Sequence, residues 1–224
     1  MPSVLITGAN RGIGLEFARQ YAADGWKVQA CCRKPETAGD LRTLAGDIHV
    51  HQLDVTDHAA LRQLGEAIGG PIDLVIANAG KGTRGEGDFG AYDYDVWRAF
   101  LEVNLYGAVA TAEAFAAPLK KAKGKIAFIS SKMGSIGDAS GGAMAYRTSK
   151  TALNMAAKVV ADAFSSSGVA VGVFHPGWVE TDMGGPNALI TPQVSVAGMR
   201  RLLVDMPVTS SPKFLAYDGK EIPW

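Results

Sequence analysis

The first thirty residues restrict the fold more than any other stretch. Ser3–Thr7 is a short apolar run with β-branched character, and Gly8-Ala-Asn-Arg-Gly12-Ile-Gly14 follows it directly. From Gly12 to Ala23 the apolar residues Ile13, Phe17, Ala18 and Tyr21 recur at helical spacing, until Asp24-Gly25 stops the pattern. A new strand-like run over 28–32 ends at Arg33. A strand, a glycine-rich turn, a helix and a second strand make a crossover unit, and such units build parallel sheets.

The same alternation continues. The pattern predicts a helix over 36–45 after Pro35, a strand over 48–53, a helix over 57–68 closed by Gly69-Gly70-Pro71, and an apolar strand over 72–77. That last run has no polar alternation, as expected of a strand covered on both faces. Lys81 to Gly90 is glycine-rich without periodicity and reads as a mobile loop. Residues 92–119 read as mostly helical with a bend near Gly107. A strand over 125–130, a glycine-rich loop over 134–142 and a long helix over 144–165 come next. A strand over 169–174 ends at His175-Pro176-Gly177. A helix over 191–203 starts at Thr191-Pro192 in cap fashion, and 214–216 is a short last strand. The expected fold class is α/β: a doubly wound parallel sheet of about seven strands with helices on both faces, in one domain over 1–224. Ligands of such sheets bind outside the carboxyl ends of the strands, where the turns at Gly8, Gly80, Gly134 and Gly177 collect.

Composition excludes several alternatives. The net charge is +0, which points to no nucleic acid and no anionic membrane as partner. No run of 18 apolar residues and no leader-like start occur, so the expectation is a cytoplasmic protein. The two cysteines are the adjacent Cys31 and Cys32, which face opposite ways on a strand and read as reduced packing residues. His49, His51 and His58 lack ligand spacing, so no metal site is expected. Neither a P-loop nor the hydrolase nucleophile elbow is present.

Chemistry concentrates at Tyr146 and Lys150. Four residues apart on a helix, they share one face. A phenol is a poor acid, with an ordinary pKa of about 10, and a fixed cation beside it would lower that value. Such a Tyr can give a proton to a carbonyl oxygen or take one from an alcohol. The pair is weak alone and gains weight from the glycine turn, where a diphosphate can approach a helix N-terminus.

Taken together, TGANRGIG at 7–14 and Tyr146-x-x-x-Lys150 resemble the short-chain dehydrogenase/reductases. The likeness extends to Asp54, Asn78-Ala79-Gly80, Asn104, Ser131 and Pro176-Gly177 with Thr181, which covers nearly the whole chain. HPGWVETDM at 175–183 and YDGKEIPW at 217–224 look closest to the small carbonyl-reductase and C-factor-like branch. The resemblance implies a Rossmann-type fold and a hydride transfer between a nicotinamide cofactor and a carbonyl or alcohol. It gives Ser131 the substrate oxygen, Tyr146 the proton, Lys150 the nicotinamide ribose and Asn104 a water that relays protons. Ser131 stands 15 positions before Tyr146, two more than is common, which leaves Ser130 and Ser135 as alternatives. Gly8, Asn10, Arg11, Gly12, Ile13 and Gly14 would hold the diphosphate. Asp54 and Val55 would border the adenine, although Asp54 also suits a helix start. Asn78, Ala79 and Gly80 would follow along the groove, and Pro176, Gly177, Val179 and Thr181 would shape the nicotinamide side.

Cofactor choice follows from charge. The second strand ends in Cys32-Arg33, with no acid to take the two ribose hydroxyls of NAD. Arg33 offers a planar fork to a phosphate, and Arg11 is a second cation. NADP is therefore expected over NAD, with NAD as the alternative. The long helices suit a homodimer or homotetramer. A second functional reading is a nucleotide-binding signalling or regulatory protein of C-factor-like type on the same fold, because fold does not fix function.

Overall fold

The computed structural model describes residues 1–82 and 86–224. Its strands are β1 (Ser3–Thr7), β2 (Lys27–Cys32), β3 (Ile48–Gln52), β4 (Leu74–Ala77), β5 (Lys125–Ile129), β6 (Ala170–His175) and β7 (Phe214–Ala216). They form one sheet in the order β3-β2-β1-β4-β5-β6-β7. Every neighbouring pair is parallel. The strand order reverses between β1 and β4, and this is where a crevice opens at the carboxyl edge.

The helices are α1 (Gly12–Ala23), α2 (Gly39–Arg42), α3 (His58–Ile68), α4 (Tyr94–Leu101), α5 (Gly107–Ala114), α6 (Ala116–Ala122), α7 (Met144–Ser165) and α8 (Pro192–Val204). The two-residue period of the strands sorts them onto two faces. Val4, Ile6, Val28 and Ile76 pack with Phe17 and Tyr21 of α1 and with Val196 and Met199 of α8. Leu5, Val75, Ile126 and Phe128 pack on the other face with Leu61 of α3, Ala112 of α5 and Leu153 and Ala157 of α7. Fully burying each large side chain of this kind contributes about 1.5–3 kcal/mol. No described helix is long and apolar enough to cross a membrane.

Two expectations change. The helix expected over 36–45 is a 3₁₀ turn, Pro35–Thr37, followed by the single turn α2. Only Ala38 and Leu41 of that stretch are buried, which is too little apolar face to hold a longer helix. The helix expected over 92–119 is three helices. A π-helical turn, Glu102–Tyr106, joins α4 to α5, so the irregularity lies just before Gly107. Farther on, the Pro118 ring has no N–H for the Ala114 carbonyl, and α5 ends at Ala114. The loop expected over Lys81–Gly90 has no helix or strand in its described part, and residues 83–85 lie outside the described residues.

His175 closes β6 with a buried Nδ1 that has no partner among the described residues. Burial, helped by the Lys132 charge, pushes its pKa down to about 4 against a weaker upward pull from Asp218. The unfolded chain therefore binds a proton between about pH 6.5 and 4 that the folded chain refuses, and stability falls as pH drops through that window. His51, lowered mainly by burial, acts in the same direction. Thermal unfolding should show Tm falling from pH 7 to pH 5, and His175→Asn should make that fall clearly shallower. Equal slopes for the two proteins would show that His175 does not set it.

Candidate active site

The carboxyl ends of β1 and β4 are tied by two side chains. Thr7 Oγ1 accepts from the backbone N–H groups of Asn78 and Ala79, both at 3.0 Å. Asn78 Nδ2 donates to the carbonyls of Thr7 at 2.9 Å and Gly8 at 3.2 Å. The glycine turn is thereby pressed onto α1. A methyl group on Gly14 would stand 2.2 Å from the Gly8 carbonyl oxygen, so only glycine fits there. The N-cap of α1, Arg11, makes no side-chain capping bond. The first-turn N–H groups of the helix, with their partial positive charge, face the crevice.

Helix α7 is fastened to the end of β5. The β5 strand runs into Ser130, Ser131 and a 3₁₀ turn, Lys132–Gly134. Thr151 Oγ1 at 3.0 Å and Asn154 Nδ2 at 3.2 Å both donate to the Gly134 carbonyl. The two backbones are so close that a methyl group on Gly134 would lie 2.8 Å from the Lys150 carbonyl carbon. The three candidate serines separate here. Ser130 Oγ is buried and donates to Asn154 Oδ1 at 2.5 Å. Ser135 Oγ accepts from the Asp138 N–H at 3.1 Å in a local turn. Ser131 Oγ accepts from the Met133 N–H at 3.2 Å, which leaves its own proton to donate, and it neighbours the Tyr146 phenol.

Tyr146 and Lys150 are both buried. Lys150 Nζ donates to the Ile129 carbonyl at 2.9 Å and lies 5.9 Å from the centre of the Tyr146 ring. Burial pulls the Lys150 pKa down to about 8. Burial also raises Tyr146, and the Ser131 side chain pulls it partly back. The expectation of a phenol acidified by its lysine is corrected for the protein itself: burial raises the phenol, and the downward pull comes from Ser131. Asn104 sits in the π-helical turn, and both ends of its amide are hydrogen-bonded. Oδ1 accepts from the Lys81 N–H at 2.7 Å, while Nδ2 donates to the Lys81 carbonyl at 3.1 Å and to Ser149 Oγ at 3.0 Å. Ser149 in turn donates to the Tyr146 carbonyl at 2.7 Å. A methyl group on Gly80 would lie 3.5 Å from Asn104 Oδ1 and 3.8 Å from Lys150 Nζ, so these three residues meet at the end of β4.

A cleft of about 1190 Å³ runs along this edge. Gly8, Asn10, Arg11, Gly12, Ile13 and Gly14 line its middle. Arg33, Asp54 and Val55 line one end, and Asn78, Ala79, Gly80, Tyr146, Lys150, Pro176 and Thr181 line the other. Ser131 and Asn104 stand behind the wall. Gly177 and Val179 are also off it. Gly177 is packed against Ile190 and Tyr217, and Val179 is buried in a bridge to Ile190. Arg33 is exposed and has no hydrogen bond or ion pair among the described residues, although Asp40 shares its end of the cleft. Arg11 differs: its guanidinium pairs with Asp182 at 2.9 Å, across the cleft from the loop after β6. In that loop Thr181 touches the Gly12 position and Met183 the Gly82 position. Thr7, Thr151, Asn154 and Ser149 escaped the sequence reading. Asn154 was findable, being one helical turn beyond Lys150 on the same face.

Residues 2–188 match the short chain dehydrogenase family. The chain is 37% identical over 161 residues to C-signal of Myxococcus xanthus, covering 69% of this chain and 94% of that protein. It is 33% identical over 232 residues to 1-hydroxy-2-glutathionyl-2-methyl-3-butene dehydrogenase of Rhodococcus sp. (strain AD45), covering 100% of both. Among solved structures, the NADPH-bound carbonyl reductase from chicken fatty liver superposes with a TM-score of 0.92 at 32% identity, over 100% of this chain and 99% of that one. The chain therefore belongs to the short-chain dehydrogenase/reductase family.

Proposed function

We propose that the protein is an NADP(H)-dependent oxidoreductase acting on a carbonyl or alcohol, with cofactor and substrate served by one domain that spans the chain. The observation that carries this reading is that Tyr146 and Lys150 line the same cleft as the glycine turn, with Ser131 beside the Tyr146 phenol. A nicotinamide dinucleotide bound there supplies or accepts the hydride. The cleft fits such a group: the start of α1 suits a diphosphate, and the exposed Arg33 suits a further phosphate on the ribose. The likeness to an NADPH-bound carbonyl reductase points the same way.

In this reading Ser131 donates its free proton to the substrate oxygen and fixes it beside the phenol. Tyr146 gives its proton to that oxygen in reduction and takes it back in oxidation. Tyr146 is protonated at neutral pH, as a proton donor must be, and burial moves it further in that direction. Lys150 holds the nicotinamide ribose. Asn104 contributes by fixing Lys81 and Gly80 beside Lys150, and its Oδ1 keeps a second lone pair for a relaying water. Homodimer or homotetramer formation is part of the proposal, supported by an apolar groove between α5 and α7 lined by Val109, Ala112, Ala116 and Val159. The buried free thiols of Cys31 and Cys32 suit the reducing cytoplasm. The 37% identity to C-signal favours a second reading, a nucleotide-binding regulatory protein with little turnover. That role has no need of the Tyr146 proton.

Three measurements test this. NADPH oxidation with a panel of aldehydes and ketones should fall at least about 100-fold in Tyr146→Phe, since one acid/base group contributes about 10²–10⁴-fold. Equal rates in both proteins would exclude the enzyme as described. Arg33→Ala should weaken NADPH binding about tenfold or more while NADH binding changes little, the phosphate being the only group the two cofactors do not share. Equal losses would remove that role. Lys150→Met should abolish activity yet hold or raise Tm by about 2–4 °C, because it removes a buried charge that has no carboxylate partner. A Tm fall of several degrees would show that the lysine is a net structural asset.

A further inference from the structure

The start of α7 is poorly provided for by its own sequence. Its N-cap, Ala143, has no side-chain acceptor and sits in the left-handed region at φ 53°. The first N–H groups of a helix need partners from outside it. The partner for Tyr146 comes from another part of the chain: Glu86 Oε2 accepts the Tyr146 backbone N–H at 3.3 Å. Glu86 is only 7% exposed, which is unusual for a carboxylate, and it makes no ion pair among the described residues. Burying a polar group is costly unless it is hydrogen-bonded, and among the described residues the bond to the Tyr146 N–H is the one its side chain makes.

The Glu86 backbone is fixed too. Its carbonyl accepts from the Asp93 N–H at 3.0 Å, and Asp93 Oδ1 caps α4 through Asp95 N–H at 2.9 Å and Val96 N–H at 3.1 Å. One helical turn on, Trp97 Nε1 donates to Thr148 Oγ1 at 3.1 Å and Phe100 meets the Tyr146 ring edge-on at 6.2 Å. The starts of α4 and α7 are thus joined around Tyr146, with Glu86 as the joint between them.

We propose that Glu86 is a positioning residue for Tyr146, capping the catalytic helix from the β4–α4 connection and so setting the height and rotation of the phenol against Ser131. This rests on the reading of Tyr146 as the proton donor. The acceptor oxygen performs the task, so a neutral amide of the same length can replace the carboxylate. A carboxylate one methylene shorter falls out of reach.

The test compares Glu86→Ala, Glu86→Asp and Glu86→Gln with the unaltered full chain. Three readouts are taken: amide exchange at Tyr146, ionisation of its phenol by ultraviolet difference against Tyr146→Phe, and steady-state kinetics with NADPH and the most active aldehyde or ketone. In Glu86→Ala and Glu86→Asp the Tyr146 amide should exchange at least about tenfold faster, and the phenol should ionise at lower pH as water reaches it. Their kcat should fall about tenfold or more, with KM for NADPH within about twofold. Glu86→Gln should keep all three near the original values. If Glu86→Ala does not fold, the shorter and neutral variants carry the comparison. Faster exchange with unchanged ionisation and kcat would reduce Glu86 to a structural cap and overturn the proposal. So would unchanged exchange, or a Glu86→Gln as impaired as Glu86→Asp. Should no carbonyl compound be turned over by the unaltered protein, the oxidoreductase reading fails, and exchange and ionisation still decide whether Glu86 positions the phenol.

Discussion

The attachment of α7 to the turn after β5 is the constraint on which the site depends. Thr151 and Asn154 converge on the Gly134 carbonyl, and Gly134 lies against the Lys150 backbone with no room for a side chain. This contact sets the distance between Ser131, carried by the turn, and Tyr146, carried by the helix. It also brings Lys150 Nζ to the Ile129 carbonyl. The dinucleotide end of the cleft depends in the same way on Thr7 and Asn78, which hold the ends of β1 and β4 at the point where strand order reverses. Two sets of backbone-directed hydrogen bonds therefore place the groups proposed to do the chemistry, at positions where rigid elements end.

The electrostatics of the site are those of burial. Lys150 is held down to about 8 and Tyr146 is held up, each mainly because charge is costly away from water. Neither shift comes from an ion pair, so both respond to whatever shares the cleft. A pocket that keeps an uncharged phenol and an easily neutralised ammonium side by side suits proton exchange with an oxygen better than tight holding of an anion. Its thermodynamic cost falls on the fold, where Lys150 is a charged group without a carboxylate beside it.

Much of this was legible in the sequence. The bounds of α7, the glycine turn and the order of alternation follow from period and turn chemistry, which are local properties. Tyr146 and Lys150 were visible because helical spacing alone puts them on one face. Residues that act through another segment's backbone were hidden. Glu86 looks like any loop acid, and nothing in its neighbourhood names the Tyr146 N–H as its partner. The π-helical turn was invisible for the same reason, since Asn104 is satisfied by the main chain of Lys81, 23 positions away. Charge alone suggested two free cations for a phosphate, and only the fold could bring Asp182 to Arg11. Gly177 and Val179 left the cleft wall because Ile190 returns to pack against them.

The left-handed backbone at Ala143 has a consequence for how the site fluctuates. An alanine in that conformation costs roughly 1–2 kcal/mol, which is comparable to what one cap returns. The first turn of α7 is therefore the softest part of a helix whose middle is bolted down at Thr151 and Asn154. Brief fraying can begin at the phenol's end of the helix while the lysine's end stays folded. Local opening of this helix is thus expected to start where the hydroxyl sits and to reach the ammonium last.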